Sequence, residues 1–194
     1  MDNTSSNTPP NTTSKGQGDV VAFLRQQHDQ VRSLFTSLTG GTGSEQDWDM
    51  LLRLLAVHET AEEEVVYPAV KAQGDEGRTI AQARLAEEDQ AKKTLRDLEK
   101  LSFKGDGFTE QLTKFQQMVE AHAEAEEREV FPLLESKLEP GTLKTMRTAL
   151  QAAEGMAPTH PHKLAPESAV GNMIAGPVVA LMDRVRDAIR AVTK

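Results

Sequence analysis

The chain contains no cysteine, which removes disulfides, thiolate nucleophiles, iron–sulfur ligation and zinc knuckles in one step. A bound metal would have to rest on histidine and carboxylate. Basic residues are in deficit too: 22 Lys and Arg against 30 Asp and Glu leave a formal charge of −8 over 194 residues. With no basic stripe to follow a phosphate backbone, nucleic acid and anionic membrane are not expected partners, and a small or neutral ligand fits better. The opening stretch MDNTSSNTPPNTTSKGQG has neither a charged n-region nor an apolar h-region, so a cytoplasmic protein is expected. Asn3-Thr-Ser and Asn11-Thr-Thr match the glycosylation acceptor pattern but are more simply parts of a polar tail. There is also no CxxC, phosphate-cradling Gly loop or Ser/His/Asp triad to support a rival enzyme class.

At this length one domain of roughly 100–150 residues with appendages is the expected plan. Residues 1–18 are rich in Ser, Thr, Asn, Pro and Gly and read as a disordered tail. Asp19 is a candidate N-cap, and after it Val21, Leu24, His28, Val31, Phe35 and Leu38 recur at steps of three and four, one stripe of a helix. A second helix, opened by Ser44 with Asp47 three residues on, carries Trp48, Leu51, Leu55, His58, Glu62, Val65 and Ala69 and ends near Gly74. A third runs from about Asp75 to Leu101 with Ala81, Glu88, Ala91, Leu95 and Leu98 on its stripe. The fourth carries Phe108, Leu112, Phe115, Val119, His122, Glu126 and Leu133 and ends at Pro140-Gly141. Short Gly-rich turns between these segments predict an all-α, up-down four-helix bundle over residues 19–138. Residues 139–194 form a C-terminal extension: a short helix over 142–155, a Pro-punctuated loop, and an amphipathic helix from about Ser168 to Val192. That last helix is too short and too charged to cross a bilayer. It is expected to pack on the bundle, on a second copy of the chain or on a protein partner.

The most specific feature is an internal repeat. HETAEEEVVYPAV from His58 and HAEAEEREVFPLL from His122 share His, Ala, two Glu, Val and Pro at equivalent positions. Aligning the Asp-Gln pairs of the first and third helices in the same scheme sets His28 opposite Glu88. Residues four apart on a helix differ by only about 40° in direction, so His58 with Glu62 and His122 with Glu126 each aim two ligand-type groups the same way. Both pairs, with His28 and Glu88, fall on the apolar stripes. An unpaired carboxylate there costs several kcal/mol, against the roughly 5–15 kcal/mol that holds a domain together. Arg84 is the single stripe cation, so a multivalent metal ion is the economical counter-charge, with iron favoured by mixed imidazole and carboxylate donors and manganese and zinc as competitors. Glu63, Glu64 and Glu127, beside the stripe, read as a solvated charge face. Tyr67 and Phe131, nine residues after each His, fall nearly opposite the ligands by the same arithmetic and read as packing residues.

HDQVRSLF, HETAEEEVVYP and HAEAEEREVFP resemble the hemerythrin-like, or HHE cation-binding, family over about residues 19–138. The resemblance implies a four-helix bundle around two iron ions joined by an oxo or hydroxo bridge. It makes His28, His58 and His122 terminal ligands and Glu62 and Glu126 bridging ones. Where the family usually supplies a third-helix His, this chain has Glu87-Glu88-Asp89; Glu88 is the expected substitute, and Asp89 the alternative under a shifted register. A carboxylate-rich set favours ferric iron, and with it peroxide or redox turnover over reversible oxygen carriage. The implied activity is binding or reaction of O2, NO or peroxide, with hydrogen peroxide disproportionation in stress defence as one form. The alternative is a non-enzymatic oxygen or iron sensor signalling through the C-terminal helix. His160 and His162 lie in the Pro-flanked APTHPHKLAP segment, and docking of the tail is expected to bring one imidazole, His162, to the open end of the site.

Overall fold

The computed structural model describes residues 18–155. The tail expected before them, and the Pro-punctuated loop with His160 and His162 and the amphipathic helix expected after them, lie outside the described residues. Within these bounds the chain is all α, as its periodicity predicts. The first helix, α1 (Val20–Thr39), starts at Asp19, whose side chain accepts from the Ala22 amide. The second bundle helix starts at Ser44 with a full capping box to Asp47 and runs as α2 (Glu45–Ala61), a π-helical segment (Glu62–Val66) and α3 (Tyr67–Lys71). The third is α4 (Asp75–Leu98). The fourth repeats the second as α5 (Phe108–Ala125), a π-helical segment (Glu126–Val130) and α6 (Phe131–Lys137). A fifth helix, α7 (Pro140–Glu154), turns back and packs on α1, α2 and the first π-segment. Among the described residues no helix is long and apolar enough to cross a membrane.

The two π-segments have a local cause in the sequence. Pro68 follows the first and Pro132 the second. Proline has no amide hydrogen and its ring crowds the carbonyl four residues back, so the α-helical ladder cannot pass through either position, and a wider turn takes up the extra residue. The repeat seen in the sequence is thus also a repeat of backbone irregularity, placed on the two bundle helices that carry the His-x-x-x-Glu pairs.

The core is cut in two. One apolar cluster gathers Leu24, Ala61, Val65, Ala81, Val130, Leu134, Met146 and Leu150, and a second gathers Val31, Phe35, Leu51, Leu55, Ala91, Phe115 and Val119. On each bundle helix the polar site residue lies between a member of one cluster and a member of the other: His28 between Leu24 and Val31, His58 between Leu55 and Ala61, Glu88 between Ala81 and Ala91, His122 between Val119 and Val130. A polar belt therefore crosses the bundle, clamped on both sides by packed side chains.

The turn into α4 is held by a close backbone approach. A Cβ at Gly77 would lie 1.9 Å from the Val70 carbonyl oxygen. Gly within a helix is ordinarily worse than Ala, by up to about 1 kcal/mol in the interior, but at this first-turn position the sign reverses. Gly77→Ala is expected to lower stability by about 1–3 kcal/mol, read as a lower urea midpoint; an unchanged or higher midpoint would show the approach to be softer than its geometry.

Candidate metal centre

Six ligand-type side chains meet in the belt. His28 comes from α1, His58 from α2, Glu62 from the first π-segment, Glu88 from α4, His122 from α5 and Glu126 from the second π-segment. Glu62 and Glu126 are fully buried, and His28, His58 and Glu88 nearly so; the His122 side chain retains 11% exposure. Donor atoms of His28, His58, Glu62 and Glu126 lie within 4.8 Å of one another, and those of Glu62, Glu88 and His122 form a second such group. Two adjacent clusters thus share Glu62. Asp89 is exposed and takes no part.

Each imidazole is held from behind. His28 Nδ1 pairs with Glu127 Oε1 at 2.9 Å, His58 Nδ1 with the Gln27 side-chain oxygen Oε1 at 3.0 Å, and His122 Nδ1 with Glu87 Oε2 at 3.1 Å. All three partners are oxygen acceptors, which assigns the proton to Nδ1 and leaves each Nε2 lone pair facing the centre. There, His58 Nε2 sits 3.2 Å from Glu62 Oε2 and His28 Nε2 3.3 Å from Glu126 Oε2. These are close approaches of lone pairs rather than hydrogen bonds of good geometry: His28 Nε2, both Glu62 oxygens, Glu88 Oε1 and Glu126 Oε2 are buried with no hydrogen-bond partner. Inward-facing lone pairs, orphaned and backed by outer hydrogen bonds, are what a cation needs. The residues fit a metal.

Titration of the metal-free centre is set by the same crowding. Burial pushes Glu62 well above the ordinary carboxylate range, with the Glu126 and Glu88 charges adding to it, and burial with the Glu59 charge lifts Glu88 to about 8. His58 is lowered to about 3 by burial and by the His28 charge. Burial would also raise Glu126, but the cationic forms of its His28 and His122 neighbours, in the absence of metal, outweigh it and hold the group down at about 2. The stripe cation Arg84 is buried, yet its guanidinium turns away to Glu87 and Glu129. Lys92 reaches Glu63 at 2.7 Å, Glu88 at 3.4 Å and Glu59 at 3.7 Å, so it covers one edge of the belt.

Two expectations change. Tyr67, read as packing on the far side of its helix, points into the centre: its hydroxyl donates to Glu126 Oε1 at 2.8 Å and lies 3.5 Å from His122 Nε2. The π-segment accounts for this, because one extra residue in the turn rotates everything after it by about 100° relative to uninterrupted α-helix. Phe131, its counterpart, swings in likewise and stacks on His28 with ring centroids 5.6 Å apart. Glu127, read as a solvated charge, instead holds His28 and accepts from Arg32 at 3.0 Å. Gln27, Glu87 and Glu59 went unmarked in the sequence. For Tyr67 and Phe131 the available signal was the pair of prolines, each ten residues after its His.

Comparison with known proteins points to one family. Residues 19–134 match the model of the hemerythrin HHE cation binding domain. A hemerythrin-like protein of Schizosaccharomyces pombe is 29% identical over 134 residues, 69% of this chain and 66% of that protein. A Nostoc protein named DNA nickase is 26% identical over 139 residues, 70% of this chain but 39% of its own length. The crystal structure of an HHE cation binding domain-containing protein from Mycobacterium kansasii superimposes with a TM-score of 0.62 at 20% identity, covering 90% of this chain and 98% of that one.

The raised carboxylates make the metal-free protein sensitive to base. Their protons are kept on folding and released on unfolding, so the stability they contribute is complete below the ordinary carboxylate range and is lost as pH rises through about 8, the value for Glu88. His58, lowered to about 3, affects only the acid side. In chelator, the melting temperature should fall between about pH 6.5 and about pH 8.5, and Glu88→Gln should flatten that fall. A wild-type melting curve indifferent to pH over this interval would contradict the crowding.

Proposed function

Because the chain belongs to the hemerythrin HHE cation-binding domain family, we propose that it is a diiron protein that binds and reacts with a small ligand, O2, NO or hydrogen peroxide, with peroxide disproportionation as its leading activity. The observation that carries this reading is the pair of donor clusters sharing Glu62. His28, His58 and Glu126 would hold one iron, Glu88 and His122 the other, with Glu62 common to both. Three imidazoles and three carboxylates suit iron over softer or purely oxygen-seeking metals. Two bound irons would supply a two-electron couple.

The chain's own residues prepare the site for such a ligand. A pocket reaches His28, His58, Glu88 and His122 past apolar Val31, Leu55, Ala91 and Val119 and charged Arg32, Glu59 and Glu120, an approach suited to a small ligand. The Tyr67 hydroxyl holds a proton against Glu126. Glu59 lines the same pocket, and burial raises it to about 7, which suits it to passing protons near neutral pH. The name of the Nostoc relative does not transfer: the match spans under half of that protein, and a chain of charge −8 offers nucleic acid little attraction.

A second reading, a metal-dependent sensor or binding module, is favoured by one contact. α7 is tied to the centre through Gln27, which touches both Glu154 and His58. Metal analysis with oxygen-electrode assay separates the two. The enzyme reading expects two irons per chain and sustained oxygen evolution from hydrogen peroxide; an iron-loaded protein inert to peroxide would leave the sensor. His58→Ala and His122→Ala should each lower iron content and melting temperature together, and normal iron stoichiometry in both would sink the ligand assignment. Tyr67→Phe should keep its iron and lose peroxide turnover by about a hundredfold, the scale of a removed proton donor.

A further inference from the structure

The three outer acceptors of the belt histidines are not alike. His28 and His122 lean on carboxylates, Glu127 and Glu87, and each carboxylate also accepts from an arginine, Arg32 or Arg84. His58 leans on an amide, Gln27. A carboxylate offers an acceptor whichever way it turns; an amide does not. Rotated by half a turn, Gln27 would present its NH2 to His58 Nδ1, and the imidazole would then accept at Nδ1 and carry its proton on Nε2. An Nε2–H cannot ligate. Something must therefore choose the face of the amide.

The chooser is on α7. Gln27 Nε2 donates to Glu154 Oε1 at 2.5 Å, with Gln27 itself 6% exposed. An ionised carboxylate only accepts, so it holds the NH2 end of the amide and turns the oxygen toward His58. Glu154 is the last residue of α7, 127 positions from Gln27 in sequence, on a helix that adds no donor to the belt. We infer that Glu154 is a positioning residue for the metal centre: by fixing the orientation of the Gln27 amide it keeps the His58 proton on Nδ1 and leaves Nε2 free to bind a cation. The inference rests on the proposed metal-binding reading, but its first link, from Glu154 to the His58 tautomer, exists without metal.

That link is tested on the metal-free full chain by nitrogen-15 NMR of the histidine rings. Wild type should show His58 as the Nδ1–H tautomer, and Glu154→Leu should shift it toward Nε2–H. The double variant Glu154→Leu with Gln27→Glu supplies a carboxylate acceptor directly and should restore Nδ1–H; a role of Glu154 in packing α7 alone would not be rescued by a change at position 27. Titration with Co2+ alone reads the second link, with affinity expected to fall about 10- to 100-fold in the single variant, the usual cost of losing an outer hydrogen bond to a ligand, and to recover in the double. The inference is overturned if His58 keeps Nδ1–H in Glu154→Leu, if the double variant fails to restore it, or if Co2+ affinity ignores the tautomer. Failure of the diiron reading looks different: wild type would show the expected tautomer and bind no iron.

Discussion

Three buried carboxylates without enough counter-charge are the constraint around which the molecule is organised. Glu62 and Glu126 are fully buried and Glu88 nearly so, and Lys92 touches only Glu88 among them, from the belt's edge. In a medium of low dielectric such a group must hold protons or a cation. Four helices, two apolar clusters and a ring of outer acceptors then serve the same end: the clusters fix the height of the belt, and the acceptors fix which atoms face it. Glutamates that would unfold an ordinary core become tolerable because their geometry is shared among neighbours rather than improvised by each.

Much of this was legible in the sequence because helical spacing is a strong signal. The stripe through Val21, Leu24, His28, Val31, Phe35 and Leu38 is buried throughout, and the repeated His-x-x-x-Glu pattern placed four of the six belt residues by arithmetic alone. Glu88 was separable from Asp89 because the two differ by about 100° around one regular helix. Tyr67 escaped for the opposite reason: the arithmetic assumes an unbroken α-helix, and the π-segments break it just before the residue in question. Pro68 and Pro132 carried the information, though as a backbone constraint rather than as a side-chain pattern. Gln27, Glu87, Glu127 and Glu154 were out of reach for a different cause. An outer acceptor is chosen by tertiary proximity, and nothing in local spacing marks a glutamine on one helix as the partner of a histidine on the next.

The outer acceptors also explain why the belt does not depend on the bundle alone. Arg32 links α1 to α5 through Glu120 while sharing Glu127 with His28, and Arg84 links α4 to the second π-segment while sharing Glu87 with His122. His28 and His122 are thereby orientated by carboxylates whose arginine partners also bridge two elements. Displacing a helix at the surface and turning an imidazole in the interior become one event rather than two.

Internal duplication would by itself produce a centre with matching halves. Tyr67 and Phe131 occupy equivalent places after equivalent π-turns, yet one brings a hydroxyl to Glu126 and the other a bare ring against His28. A single oxygen atom thus breaks a near-symmetry that the backbone maintains. The two halves of the belt are therefore chemically unlike behind their donors, with a hydroxyl at Glu126 and a bare ring at His28, so two donor sets that the repeat makes equivalent in position are not interchangeable in chemistry.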